Sequence, residues 1–263
     1  MIYFVRNDPE VLPASYGLWV EQMGLPQAIV RLDAGDRLPR LAAGDAAIIL
    51  GGRMSADDTT AHPYLGPLVD WLRDNAVRGL PQLGICLGGQ LLAMALGGRL
   101  HRERHQELGV TVIELTTPGT TDALFSGVDT SLTSFSWHSD SFDPPPGAVR
   151  LARSDACPEQ AFRWRQSWGL QFHPEADEAT VAGWTGLATA AGELDAATAA
   201  TVLGNLTAAY PEHVRSGRLI LTNFLAEATA AVTTVKAAKD LTEATADTSA
   251  PPDSTTSGER RDH

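Results

Sequence analysis

Cysteine is scarce in this sequence: Cys86 and Cys157 are the only two in 263 residues, and their spacing makes neither a CxxC pair nor a metal-ligand cluster. That excludes a disulfide framework and a cysteine-rich zinc module, and no metal or cofactor is expected. Long apolar runs are also missing. None reaches the roughly 20 residues a membrane-spanning helix needs, and no charged segment followed by an apolar run marks a leader. The expectation is a soluble, cytoplasmic protein. Positive charge is short as well, with 20 basic against 32 acidic residues and a formal net charge of −12. Such a surface repels nucleic acid and anionic membranes, so neither is an expected partner. The charge does not bear on a small zwitterionic substrate.

What the chain does have is apolar residues, 43% of the total, enough for a sizeable core. They come in short runs at 2–5, 28–32, 46–50 and 80–85, each ended by turn residues, and these read as buried strands. Between them lie helical patterns through Tyr16, Leu18, Trp19 and Met23, and through Leu68, Val69, Trp71 and Leu72. Alternating strand and helix predicts a parallel sheet covered by helices. From Leu108 the pattern shifts to shorter β segments at 110–115, 131–137, 149–152, 160–164 and 168–172, with a proline-rich loop over 143–147. Residues from about 177 to 230 read as helices. Beyond 231 large apolar residues nearly vanish, which predicts a disordered tail over 231–263 behind one domain over 1–230.

Two motifs carry chemistry. In Gly84-Ile85-Cys86-Leu87-Gly88-Gly89-Gln90, a cysteine sits between a strand and a helix among glycines that permit a sharp turn. The N–H groups at the start of the helix face the sulfur and favour its thiolate. In Gln171-Phe172-His173-Pro174-Glu175, an extended backbone puts His173 and Glu175 on one side, where the carboxylate can orient an imidazole that serves Cys86 as base. A carbonyl under attack also needs donors for its developing oxyanion. The Leu87 N–H and that of Gly52, in the Gly51-Gly52-Arg53-Met54-Ser55 loop, are the candidates. Cys157 reads as an inert loop cysteine. His62, His101 and His105 read as surface residues, and Arg99, Arg102 and Arg104 as a solvated basic face.

Together these motifs resemble the class I (triad-type) glutamine amidotransferases, in a free-standing form similar to the glutaminase domain of GMP synthase. The likeness runs from about Ile2 to Glu175. It implies a flavodoxin-like α/β fold: a mostly parallel sheet flanked by helices, with a nucleophile elbow, a smaller antiparallel region and a C-terminal helical extension. It also implies that Cys86 attacks the side-chain amide of glutamine, giving a γ-glutamyl thioester and ammonia before water releases glutamate. Substrate contacts then fall on Gln90, Trp137, His138 and Ser139, in a Trp-His-Ser-Asp-Ser-Phe segment that continues through Asp140 and Phe142. His138 is equally readable as a histidine behind the site. Arg53 stands where many relatives have proline, and Ser139 where they often have glycine. The sequence carries no recognisable synthase domain, so a separate ammonia-accepting synthase is the expected partner. Two alternatives stay open: a self-sufficient hydrolase of γ-glutamyl amides or peptides, and a catalytically silent binding module on the same scaffold.

Overall fold

The structure is a computed structural model that describes residues 1–247, with side chains through 230. Its eleven described strands form a central nine-stranded sheet and a separate pair. The strands, in chain order, are β1 (Ile2–Arg6), β2 (Gln27–Arg31), β3 (Ala46–Ile49), β4 (Gln82–Ile85), β5 (Arg99–His101), β6 (Glu107–Leu115), β7 (Ser131–His138), β8 (Ser141–Asp143), β9 (Val149–Arg153), β10 (Ala161–Trp164) and β11 (Ser167–Leu170). The order across the sheet is β2-β1-β3-β4-β11-β10-β9-β6-β7, and β5 pairs with β8 separately. Every ladder from β2 to β11 is parallel, and every one from β11 to β7 is antiparallel. The expected antiparallel region therefore extends the same sheet.

Helices α1 (Ala14–Gln22), α2 (Leu65–Val77), α3 (Leu87–Ala95), α4 (Glu178–Ala190) and α5 (Ala196–Asp247) flank it. Neighbouring residues on a strand face opposite ways. Accordingly, Phe4 and Ile48 join a core under α1 and α5, with Tyr16, Val20, Ile220 and Phe224. Val5 and Ile49 join the opposite core under α2 and α3, with Leu68, Leu72, Leu91 and Leu92. Both faces are covered, which explains why the parallel strands read as continuous apolar runs rather than alternating ones.

Three details differ from the sequence reading. Strands β5 and β8 lie where a basic surface run and the edge of a loop were expected; at three residues each, they are too short for a periodic signal. His101 and Arg104 also bond Asp143, and Arg102 bonds Asp57, so two of the three arginines of the basic face are paired. Helix α5 continues through 231–247, the first part of the expected tail. That stretch has no glycine or proline to interrupt a helix. Residues 248–263 lie outside the described residues.

Helix α5 lies directly behind the His173-Pro174-Glu175 segment. A Cβ on Gly217 would meet the Pro174 carbonyl oxygen at 2.2 Å, so only glycine lets the helix approach this closely. Gly217→Ala is expected to destabilise the fold by about 1–3 kcal/mol, the usual cost of overpacking. Thermal unfolding reads this as a lower Tm; an unchanged Tm would mean that the helix does not press on this segment.

Candidate active site

The register of the sheet brings the two motifs together. Ile85 at the end of β4 pairs with Leu170 at the end of β11, and the Cys86 N–H donates to the Leu170 carbonyl at 2.8 Å. The chain leaving β11 therefore runs beside Cys86. His173 is then pinned by its own N–H, which donates to the Phe135 carbonyl of β7 at 2.7 Å.

Cys86 occupies a strained turn, with φ +51° and ψ −110°. A side-chain-bearing residue rarely adopts this conformation, which costs of order 1–3 kcal/mol and persists only where its surroundings enforce it. The flanking glycines enforce it through close packing. A Cβ on Gly84 would lie 2.4 Å from the Gly88 carbonyl oxygen, and one on Gly88 would lie 2.1 Å from that of Ile49. Helix α3 is thus pressed onto the sheet, with Cys86 at its N-terminus.

His173 and Glu175 are both buried, and His173 Nδ1 lies 2.7 Å from Glu175 Oε1. Burial opposes charge on the imidazole. The Glu175 carboxylate and the facing Cys86 side chain together outweigh it, so His173 is raised from 6.5 to about 10. The imidazole therefore holds its proton at neutral pH. The ring of Trp184, on α4, stands edge-on to His173 with centroids 5.0 Å apart. The Trp184 indole N–H donates to the Glu10 carbonyl at 2.9 Å. On α5, His213 is buried and donates from Nε2 to the Ala176 carbonyl at 2.7 Å.

Cys86, His173 and Trp184 line a cavity of about 490 Å³, together with Gly52, Gln90, Trp137, His138 and Ser139. Gly52 abuts Leu87: a Cβ there would fall 2.7 Å from Leu87 Cδ2. The Leu87 N–H opens α3, where first-turn donors have no acceptor within the helix. The Trp137 carbonyl lies 3.8 Å from Cys86 Sγ, and the Gln171 amide nitrogen 3.7 Å from it. Gln90 Nε2 donates to the Asp140 carbonyl at 3.1 Å, tying α3 to the segment after β7. Ser139 is exposed at the cavity.

His138 borders the cavity, but its ring bonds away from the sulfur. Nε2 lies 2.9 Å from Glu107 Oε2, and Nδ1 lies 3.1 Å from the Asp140 carbonyl. Glu107 also accepts from Ser154 Oγ at 2.7 Å and from the Gln160 amide. Burial opposes the charge of Glu107, but its bonds to His138 and Ser154 prevail and hold it below the usual carboxylate range. Cys157 completes the cluster; its ligating atom and those of Glu107 and His138 lie within 4.8 Å of one another, a grouping invisible in the sequence spacing. Burial pushes the Cys157 thiol up to about 12, consistent with an unreactive residue. Both cysteines are free. Because Glu107 collects these donors, Glu107→Gln is expected to destabilise the protein by about 1–3 kcal/mol through unsatisfied buried groups. Urea unfolding measures it, and a stability unchanged from wild type would contradict the network.

Cys86 and His173 thus meet at one cavity, with Glu175 buried behind the imidazole. Residues 20–182 match the family described as Glutamine amidotransferase class-I. The chain belongs to this family. The glutamine amidotransferase-like protein YfeJ of Salmonella typhimurium is 31% identical over 179 residues, covering 66% of this chain and 75% of YfeJ. One subunit of the glutamine-hydrolyzing GMP synthase of Picrophilus torridus is 31% identical over 138 residues, which cover 51% of this chain and 69% of that one. The match covers only about a quarter of the longer GMP synthases, 24% and 23% in two of them. Among solved structures, a glutamine amido transferase from Methylobacillus flagellatus superposes with a TM-score of 0.75 at 26% identity, covering 86% of this chain and 94% of its own. The class-I amidotransferase match ends before Trp184, His213 and Gly217, so the supports of His173 that come from α4 and α5 lie outside it. Sequence reading missed all three. No described helix is long and apolar enough to cross a membrane.

Proposed function

We propose that this chain is a cysteine-dependent glutaminase that releases ammonia for a separate synthase. The observation that carries the reading is the meeting of the strained Cys86 with His173, itself bonded to Glu175 at 2.7 Å. The Cys86 sulfur, its proton already passed to His173, attacks the γ-carbonyl carbon of glutamine, and the electron pair of the C=O bond moves to oxygen. The N–H groups of Leu87 and Gly52 stabilise that oxyanion. With its proton already in place, His173 acts first as an acid: it protonates the amide nitrogen as the C–N bond breaks, so that ammonia leaves and a thioester remains. Then, as a base, it takes a proton from water, which attacks the thioester. Sulfur departs and glutamate is released. Glu175 keeps the imidazole in the required orientation and supports its charge. Gln90, Trp137 and Ser139 border the bound glutamine, and His138 braces the segment from behind.

A relative named as one part of a multi-chain synthase supports delivery to another chain. A second reading is direct hydrolysis of γ-glutamyl amides or peptides in the same cavity, whose volume of about 490 Å³ is ordinary for a ligand pocket. The test is stoichiometry. Glutamine supplied to the protein alone is expected to give glutamate and ammonia in equal amounts; with the candidate synthase and its acceptor substrate, glutamate forms faster and equals the sum of ammonia and aminated product. No release in either condition would end the amidotransferase reading. Faster turnover of a γ-glutamyl amide than of glutamine without a partner would establish the second.

A further inference from the structure

Arg53 sits at the lip of the catalytic cavity on an unusually fixed mount. Its backbone N–H and Nε donate to Asp8 Oδ2 at 3.1 and 2.9 Å, and its Nη2 donates to Oδ1 at 3.2 Å. The Asp8 side chain is 2% exposed, against 66% for that of Arg53, and Asp8 also accepts from the Glu10 N–H at 3.0 Å. A guanidinium gripped from one side by a buried carboxylate loses little freedom on binding a second anion with its remaining donors. Nη1 has no hydrogen-bond partner among the described residues. Glu10 and Glu193 line the same cavity; both are exposed, and neither side chain makes a hydrogen bond among the described residues. The mouth thus offers one preorganised cation and two carboxylates free of hydrogen bonds, complementary to a ligand carrying a carboxylate and an ammonium group.

We propose that Arg53 is a specificity residue that binds a carboxylate of the substrate while the amide reacts at Cys86. The proposal rests on the reading of Cys86 as the nucleophile only for the second half of that statement. The carboxylate has two possible sources: the α-carboxylate of the glutamyl group, or one on the amine side of a γ-glutamyl amino acid.

Calorimetric binding to the Cys86→Ala protein needs no turnover and separates the sources. The ligands are glutamine, glutamine α-amide, γ-glutamyl methylamide and γ-glutamylglycine, tested with Arg53 intact, as Arg53→Gln and as Arg53→Lys. If Arg53 holds the α-carboxylate, Arg53→Gln weakens glutamine about tenfold or more relative to glutamine α-amide, and Arg53→Lys restores part of the loss. If it holds a carboxylate on the amine side, the same relative loss falls on γ-glutamylglycine against γ-glutamyl methylamide. Comparing ligands within one variant cancels any effect of an unpaired Asp8 on folding. Equal weakening of all four ligands, no weakening, or no binding to the Arg53-containing protein overturns the proposal. A carboxylate-dependent loss in a protein whose Cys86 is never acylated would instead leave Arg53 in place and remove the nucleophile.

Discussion

Replacing Cys86 by serine is expected to lower glutamine hydrolysis by roughly 10⁴–10⁶-fold, the scale seen when a catalytic nucleophile is lost. The substitution is nearly isosteric, and the turn is set by close packing of Gly84 and Gly88 rather than by sulfur, so the fold persists. What changes is chemistry: a hydroxyl holds far less of its anion at neutral pH than a thiol does. Glutamate release, measured alone and with a synthase, checks the result. A serine variant that keeps a tenth of the activity would exclude Cys86 as the attacking residue.

The next largest loss is expected from His173→Ala, again of order 10³-fold or more, with Glu175→Ala costing roughly tenfold less because an orienting group contributes less than the group it orients. The pair also makes a prediction about pH. The folded pKa of His173 is raised from 6.5 to about 10. Between those values the native protein holds a proton that the unfolded chain has released. Stability from this source is therefore complete below about pH 6.5 and declines as pH rises toward 10. Since Glu175 is the largest contributor to the rise, Glu175→Gln should flatten that part of the profile. Urea unfolding between pH 6 and 10 provides the comparison. A Glu175→Gln profile as steep as the wild type would show that the carboxylate does not hold the proton on His173. A Glu175→Ala variant losing as much rate as His173→Ala would weaken the division of roles.

The parallel half of the fold and the meeting of Cys86 with His173 and Glu175 were legible in the sequence because their signals are local. Doubly buried strands give apolar runs, an elbow gives glycines around one reactive residue, and a His-x-Glu spacing in extended chain puts both side chains on one side. The rest depends on distant partners. Nothing near Gly217 shows that the Pro174 carbonyl will press on it, and nothing near Trp184 shows that its ring will meet His173. His138 was readable in two ways because its neighbours alone do not fix where the ring turns. Glu107, 31 residues earlier, decides that.

The central claim is that the Cys86 sulfur attacks the γ-carbonyl of glutamine, and acylation by a glutamine-mimicking electrophile tests it most directly. Intact-mass and peptide mass spectrometry of the full chain should find one adduct, at Cys86, suppressed by excess glutamine and absent from Cys86→Ala. Absence of an adduct at Cys86 with and without a synthase, or modification at Cys157 that glutamine fails to suppress, would contradict the account.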